Sequence, residues 1–333
     1  MNLRSLALAV ALGALIWIAA APSPAQAPPP AAPSTPLPWA YALNPPAVPG
    51  AAPPKDDGSL KHVPGSSVGL MLPQTRDLFN PPDWYPDDHP AMPDVVAHGR
   101  RPDVRACGYC HLPNGQGRPE NASLAGLSAA YIEQQMADYR NGLRKSSEPR
   151  MGPPSTMAVI GKAATEAESK AAAEYFASIK PKKWIRVVET KTVPKTHVNG
   201  WMLVTEEGGA MEPIGERVIE VSEDLERTEL RDSKSGFIAY VPVGSLKKGQ
   251  ALVTAGGGGK TIRCTTCHGA DLRGIGGVPS IAGRSPSQMT RQLWDIQKGN
   301  RNGPWTQLMK EAVAKLTTDD FVSITAYLAS LNP

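Results

Sequence analysis

The 333-residue sequence is poor in cysteine, with four in all, and poor in aromatic residues, which make up 6% of it. So few thiols exclude a disulfide-rich scaffold, in which many bridges compensate for a small core. The charges are nearly balanced, because the sequence contains 35 Lys and Arg and 31 Asp and Glu, a formal net charge of +4. This balance argues against a nucleic-acid partner and against a polybasic membrane-binding surface.

Long apolar runs are scarce as well, and the one that occurs extends from Leu6 to Ala21, behind Arg4. Its 16 residues are fewer than the roughly 20 that a membrane-spanning helix needs. Ala25-Gln26-Ala27 follows, with the small-x-small pattern of a signal-peptide cleavage site. We therefore predict a signal peptide over residues 1–27, a periplasmic mature protein and no membrane span after cleavage. An uncleaved anchor is the alternative.

All four cysteines fall in two copies of one pattern, Cys107-Gly108-Tyr109-Cys110-His111 and Cys264-Thr265-Thr266-Cys267-His268. In a C-x-x-C-H pattern, the two thiols can add to the vinyl groups of one haem, and the adjacent imidazole can bind its iron. The sequence therefore predicts two haem c groups. Their thioether bonds would come from Cys107, Cys110, Cys264 and Cys267, and their first axial ligands would be His111 and His268.

Three other roles of paired cysteines are alternatives to covalent haem. A disulfide within C-x-x-C closes a very short loop and would leave the adjacent histidine unexplained. A redox-active dithiol relies on a thioredoxin-like alternation of strands and helices, which this sequence does not suggest. A Cys2His zinc site would lack an evident fourth ligand in each half. Covalent haem is the interpretation that accounts for both the cysteine spacing and the adjacent histidine in each copy.

The two motifs belong to an internal repeat. Shifting the chain by 157 residues, the separation of Cys107 and Cys264, also aligns further residues without a gap. The aligned pairs include Gly117 with Gly274, Gln135 with Gln292, Asp138 with Asp295, Gly142 with Gly299, and Arg144 with Arg301. The match predicts a duplicated domain in which a helix follows Ser128 or Ser285 and ends near the aligned glycine.

Beyond these arginines the offset falls to 152, at which Met157 aligns with Met309. A thioether is a neutral, soft ligand for haem iron, so we predict Met157 and Met309 as the second axial ligands, in loops that cross the far face of each haem. Met151 is the competitor in the first domain, but it aligns with Gly303. Thr165 with Glu168, and Thr317 with Asp320, predict capping boxes at the start of a last helix in each repeat.

Each repeat, from C-x-x-C-H through the glycine-containing loop and the methionine to the last helix, resembles a class I cytochrome c domain. The whole resembles the tandem diheme cytochromes c of bacterial periplasms. This resemblance covers residues 93–181 and 246–333 and implies two small helical domains with low-spin His/Met haems. The fold class expected is therefore mainly α.

Two regions depart from that family. Residues 182–245 contain short β-branched or aromatic runs, at 184–188, 201–204, 217–221 and 237–243, which predict a small antiparallel β insert. Its acidic residues between 206 and 232 are either a docking surface or a solvated face. Residues 28–92 form a Pro-rich extended arm, predicted to be loosely packed at first and to become a strap on the folded surface from about Ser59. His62, His89 and His98 in this region are weaker candidates for iron ligands.

Haem iron with both axial positions filled exchanges electrons but does not readily bind oxygen or peroxide. The resemblance therefore implies an electron carrier rather than an enzyme, with a dehydrogenase, an oxidase or another cytochrome as its redox partner. Two alternatives remain. The chain could be the cytochrome subunit of a periplasmic dehydrogenase complex, or, less favoured, a diheme peroxidase. Arg144 and Arg301, or Trp294 and Trp305, are candidate donors to the haem propionates.

Overall fold

The computed structural model describes residues 36–46 and 56–333. All of them belong to one compact unit, Thr35–Pro333. The predicted signal peptide, residues 1–27, lies outside the described residues, as do 28–35 and 47–55 of the predicted arm. In the described part of the chain, no helix is long and apolar enough to cross a membrane.

The beginning of the arm is tightly packed, so the loose packing expected there is wrong. Leu37, Trp39 and Tyr41 are buried in the largest hydrophobic core, beside side chains of the insert and of the second repeat. The Tyr41 hydroxyl donates to Asp295 Oδ1 at 2.6 Å. Proline-rich chains can lie extended on a folded surface, and here large side chains between the prolines supply the apolar area that holds the segment in place.

Residues 56–92 form the predicted strap. They contain a short antiparallel pair, β1 (Leu60–Lys61) with β2 (Leu70–Met71), and two 3-10 turns, Gln74–Arg76 and Pro86–Asp88. Trp84 is almost fully buried and its Nε1 donates to the Leu230 carbonyl at 2.8 Å. The strap is therefore fixed to the insert by both apolar burial and a buried hydrogen bond.

The first repeat folds as a helical domain. Its helices are α1 (Asp94–Ala97), α2 (Cys107–His111), α3 (Ala129–Arg140), α4 (Gly152–Ala163) and α5 (Glu166–Ser178). Ser128 caps α3, and the predicted capping box of Thr165 and Glu168 begins α5, which confirms both helix starts. The helices enclose a core of their own around Phe176.

The insert contains more structure than predicted. Its elements are β3 (Ile185–Thr190), β4 (Thr192–Pro194), β5 (Thr196–Asn199), β6 (Met202–Thr205), β7 (Met211–Pro213), β8 (Ile219–Ser222), α6 (Leu225–Glu229) and β9 (Phe237–Pro242). The four predicted runs overlap β3, β6, β8 and β9. Wholly antiparallel pairing is wrong, however, because β9 lies between β3 and β8 and is parallel to β3. The long connection from β3 to β9 allows the chain to return in the same direction.

The second repeat is also a helical domain, with α7 (Ser245–Ala255), α8 (Thr265–His268), α9 (Pro286–Gln297), α10 (Met309–Val313) and α11 (Thr318–Ser330). As predicted, Thr317 and Asp320 form a capping box at α11. α7 packs closely on α11, since a Cβ at Gly249 would overlap the Ser323 carbonyl. Its core merges with that of the insert.

A buried carboxylate joins the insert to the second domain. Glu220 on β8 is 2% exposed, and its Oε2 accepts hydrogen bonds from Ser285 Oγ at 2.7 Å and from Ser287 N at 3.2 Å. These serines begin α9, where free backbone N–H groups favour an acceptor. Glu220 Oε1 has no hydrogen-bond partner in the described part of the chain. Burial raises the pKa of this carboxyl.

Candidate haem-binding sites

The first motif lies on α2, where Cys107 and Cys110 are three residues apart and therefore on the same side of the helix. His111 is 8% exposed, and its Nδ1 lies 2.8 Å from the Ala122 carbonyl oxygen. The Phe176 ring contacts the imidazole edge-on at 6.1 Å. The glycine-containing loop thus returns to the motif and fixes the plane of the imidazole.

The second motif repeats this arrangement. Cys264 directly precedes α8, which contains Cys267 and ends at His268. His268 Nδ1 lies 2.8 Å from the Pro279 carbonyl oxygen, which is in the same position relative to the motif as Ala122. The same contact therefore occurs twice, on two backbone loops of different sequence.

Burial of both imidazoles favours their neutral form, the form in which a ring nitrogen can bind a metal ion. Burial lowers the pKa of His111 and of His268, which favours the neutral ring. A neutral ring that donates from Nδ1 to a backbone carbonyl has its lone pair on Nε2, and a fixed Nδ1 partner is the usual way a protein orients a metal-binding histidine. Nε2 has no hydrogen-bond partner among the described residues.

All four cysteines are free. Burial raises the pKa of Cys107 to about 12 and that of Cys264 to about 11, so these thiols are protonated at neutral pH. Neither pair is bridged, as a structural disulfide would require. An unbridged thiol pair beside an oriented imidazole has the chemistry of a haem c attachment site.

The two predicted methionine ligands occupy equivalent environments. Met157 packs against the core of the first domain, as does Cys107, and Met309 packs against the core of the second, as does Cys264. The predicted loop positions are wrong: Met157 lies on α4, and Met309 is the first residue of α10. A helix holds a side chain in a narrower range of positions than a loop does, which is compatible with a ligand.

Met151 belongs to a different environment. It is fully buried, but in the core that the insert shares with the second domain, not in the core around Phe176. Two of the three histidine candidates, His89 and His62, are also engaged elsewhere. His89 contacts Asp83 Oδ1 through Nε2 at 3.1 Å and Tyr175 Oη through Nδ1 at 3.0 Å, and His62 Nδ1 lies 3.2 Å from the Val68 carbonyl.

The two helical domains meet at a cluster of four side chains, of which Gln135 and Arg301 are buried and Arg144 and Gln292 half-buried. Arg144 donates to Gln135 Oε1 at 2.9 Å and to Gln292 Oε1 at 3.0 Å. Arg301 donates to the same two oxygens, at 2.7 Å and 3.1 Å respectively. Each arginine therefore bonds one glutamine of its own domain and the aligned glutamine of the other.

The backbone around this cluster follows the same symmetry. Lys145 N donates to Asn300 O at 2.8 Å, and Asn302 N donates to Leu143 O at 2.7 Å. These bonds exchange when the chain is shifted by the repeat offset. The interface is thus isologous, built from the same surface of both domains. The sequence alignment paired these residues but gave no sign that the pairs are in contact.

None of the four side chains is a carboxylate, but Asp138 accepts from Gln135 Nε2 at 3.4 Å, and Asp138 and Asp295 both act on the charge of Arg144. Arg301 is 6% exposed and its Nε has no partner among the described residues, while Arg284, also buried, donates to the Ser123 and Ala125 carbonyls. Burial lowers the pKa of Arg301 and of Arg284. Buried cations need a compensating anion, and haem propionates are such anions. The candidate donors Trp294 and Trp305 are instead packed, against Phe321 and over Gly277.

Comparison with known proteins agrees with this geometry. The cytochrome c family model matches residues 246–332, the second helical domain. Cytochrome c-554(548) of Halomonas halodenitrificans is 30% identical over 77 residues, which are 23% of this chain and 93% of that protein. The chain therefore belongs to the cytochrome c family, and haem c is its cofactor.

Two relatives, each longer than cytochrome c-554(548), match this chain over part of their length. Cytochrome c4 of Stutzerimonas stutzeri is 29% identical over 140 residues, which are 37% of this chain and 65% of that protein. The thiosulfate dehydrogenase electron acceptor of Stutzerimonas stutzeri (strain A1501) is 33% identical over 86 residues, which are 25% of this chain and 38% of that protein. The chain thus spans less than two thirds of the length of either relative.

Proposed function

We propose that this protein is a periplasmic diheme c-type cytochrome that transfers electrons through two covalently attached haems. The observation that carries the proposal is the repeated site: two thiol pairs, each followed by an imidazole whose Nδ1 lies 2.8 Å from a backbone carbonyl. The first haem would be attached to Cys107 and Cys110, and the second to Cys264 and Cys267. Haem iron supplies a one-electron couple when it is bound.

The axial ligands in this proposal are His111 with Met157, and His268 with Met309. Support comes from the packing of each methionine against the core of the domain that contains its histidine. A thioether ligand favours reduced iron and raises its potential. With both axial positions filled, each site can accept one electron from a reduced partner and pass one to an oxidised partner, without binding a substrate.

The arginine cluster lies at the contact between the two helical domains that carry the proposed haem sites. Arg301 is buried and Arg144 half-buried at the domain interface, with amide oxygens as partners and no acid among the four side chains. We assign them the role of donors to haem propionates, whose negative charges would balance theirs. Electron exchange between the two domains would then cross this interface.

Export to the periplasm rests on the predicted signal peptide, residues 1–27. The redox partner is a protein, because closed axial positions leave electron exchange as the available chemistry. A dehydrogenase is a specific candidate, since one relative is named an electron acceptor of thiosulfate dehydrogenase. In that case the chain would act as the cytochrome subunit or acceptor of a dehydrogenase complex.

Mass spectrometry of the mature periplasmic protein tests the proposal. Two haem masses that remain after denaturation, and an N-terminus after Ala27, are the expected result. Free thiols or disulfides at the four cysteines would overturn it. Carbon monoxide distinguishes the carrier from a diheme peroxidase: rapid binding to one reduced haem, or turnover of peroxide, would replace the carrier by the enzyme.

A further inference from the structure

The C-terminal end of α2 has a carbonyl that the helix itself cannot bond. In an α-helix the Tyr109 oxygen would accept from the backbone N–H of residue 113, but residue 113 is proline, which has none. Arg231 of the insert supplies the missing donor, because its Nη1 donates to the Tyr109 oxygen at 2.8 Å. A cation at this end of a helix is also favoured by the partial negative charge of the last carbonyls. The insert thereby caps the helix that carries the first motif.

Further contacts hold the same guanidinium in place. Its central carbon lies 3.6 Å from the centre of the Tyr109 ring, a cation–π arrangement. The neighbouring Leu230 carbonyl accepts from Trp84 Nε1 of the strap at 2.8 Å, so the backbone beside Arg231 is anchored as well. Arg231 is half-buried as a result. Its charge therefore has a fixed position relative to α2.

No ion pair neutralises the charge of Arg231. Glu120, the buried carboxylate of the loop after the first motif, is paired with Arg118 instead. In the part of the chain that the structure describes, no other carboxylate forms a salt bridge with Arg231. A guanidinium cannot lose its proton under the conditions in which proteins fold. The insert thus places one uncompensated positive charge against the first motif.

This charge is close to the residues that would hold the first haem. Tyr109 is followed directly by Cys110 and His111, a proposed thioether cysteine and a proposed iron ligand. The guanidinium that bonds the Tyr109 oxygen is therefore attached to the same helical turn as both side chains. A group held by that turn lies in the electric field of Arg231.

The second motif lacks the features that hold this cation. Thr266 aligns with Tyr109, so there is no ring on which a guanidinium could stack. Ala270, which has a backbone N–H, aligns with Pro113. The arginine cap is thus a feature of the first repeat, and it is contributed by the insert rather than by the duplicated domain.

We propose that Arg231 raises the reduction potential of the first haem, so that the insert sets how electrons divide between the two haems. This inference rests on the proposed function, since it requires a haem at Cys107 and Cys110. Oxidised haem iron carries one positive charge more than reduced iron, so a fixed cation nearby disfavours the oxidised state. Because Arg231 is half-buried, solvent ions screen its charge less than they screen an exposed one.

Redox titration of the holoprotein tests this assignment. In Arg231→Gln the reduction equilibrium constant of one haem should fall about threefold to tenfold, which is about 30–60 mV for a one-electron couple. The other haem should change by less than half as much. Arg231→Lys keeps the charge and should retain most of the potential, which a purely structural role would not explain.

Arg217→Gln is the matched control. Arg217 is half-buried in the same insert and also donates to backbone carbonyls, those of Ile214 and Pro213, which belong to the insert and not to a motif. Its replacement removes the same charge from the chain and should leave both reduction equilibrium constants within about twofold.

The haem that responds should be the one that Met157→Ala also affects. Unchanged titration curves in Arg231→Gln, an equal fall in Arg231→Lys, or a fall confined to the other haem would overturn the inference while electron transfer stands. If Arg231→Gln does not retain two haems, Arg231→Met, which keeps an unbranched stem without the charge, provides the same measurement. A parent protein without covalent haem would overturn the proposed function instead.

Discussion

Arg144 and Arg301 occupy equivalent positions in the two helical domains, pair with each other in an antiparallel backbone bridge, and donate to the same two amide oxygens. The duplicated surface has thereby become an interface between its own two copies. Arg301 is buried and Arg144 half-buried, and the carboxylates of Asp138 and Asp295 act on the charge of Arg144 from beside the cluster. An anion nearer the two guanidinium groups would stabilise both.

Replacing Arg301 by Leu tests this compensation. In the haem-loaded protein the variant should lose about 1–3 kcal/mol of unfolding free energy, because two hydrogen bonds and a propionate partner are removed. Denaturant unfolding followed by circular dichroism measures the loss. Arg144→Leu should give a similar value, and the double variant should cost less than the sum of the two. A more stable Arg301→Leu protein would mean that the two cations repel each other without compensation.

Replacing Met157 or Met309 by Ala should leave the amount of covalent haem unchanged, open one iron and lower the potential of that haem. Loss of part of the iron–thioether absorption marker, together with redox titration, reports the change. Met151→Ala is the control: removal of this buried side chain should cost about 2–5 kcal/mol of stability and leave the absorption marker intact. A marker of undiminished intensity in either ligand variant rules out that methionine.

The Glu220 carboxyl predicts a pH dependence. Since burial raises its pKa in the folded state above the ordinary value of 4.5, the folded protein binds the proton more tightly, and stability falls as pH rises from about 4.5 through the raised pKa. Each pKa unit of difference corresponds to about 1.4 kcal/mol. Glu220→Gln should remove this loss, so the variant gains stability relative to the parent toward neutral pH.

Thermal melting of both proteins between pH 4.5 and 8 measures that gain. Glu223→Gln, which alters an exposed carboxylate of the same insert, should follow the parent at every pH. Parallel curves for the parent and Glu220→Gln would contradict the prediction.

Tyr41→Phe tests the buried arm. The substitution removes the 2.6 Å hydrogen bond to Asp295 and leaves a buried carboxylate with one partner fewer, so stability should fall by about 1–3 kcal/mol. Tyr327→Phe is a matched control, since the Tyr327 hydroxyl makes no hydrogen bond within residues 36–46 and 56–333. Equal unfolding midpoints for the two variants would show that the arm contributes little.

Local patterns predicted much of this structure. The capping residues Thr165 and Thr317 begin their helices as expected, because a cap depends on only four neighbouring residues. The two motifs and the repeat offset pair Cys107, His111 and Met157 with Cys264, His268 and Met309 from the sequence alone. The capping signals depend on a few neighbouring residues, and the haem motifs are repeated at a fixed separation along the chain.

Long-range contacts could not be predicted in this way. The parallel pairing of β3 with β9 joins strands separated by most of the insert, and the arm reaches a core whose other members lie over 100 residues away. Nothing in a Pro-rich composition indicates that Trp39 and Tyr41 will be buried. The internal repeat aligned the two arginines and the two glutamines of the cluster. Contact between aligned residues, however, depends on how the two domains associate, which one sequence does not specify.

The bond between Tyr41 and Asp295 spans 254 residues of sequence. Tyr41 therefore leaves the ribosome long before Asp295 is made, and the core that holds both is incomplete until nearly the whole chain is available. Contacts of such high sequence separation slow folding. The first helical domain, whose core around Phe176 is built almost wholly from its own residues, can fold early, whereas the core of the second is complete only when residues 36–46 pack into it.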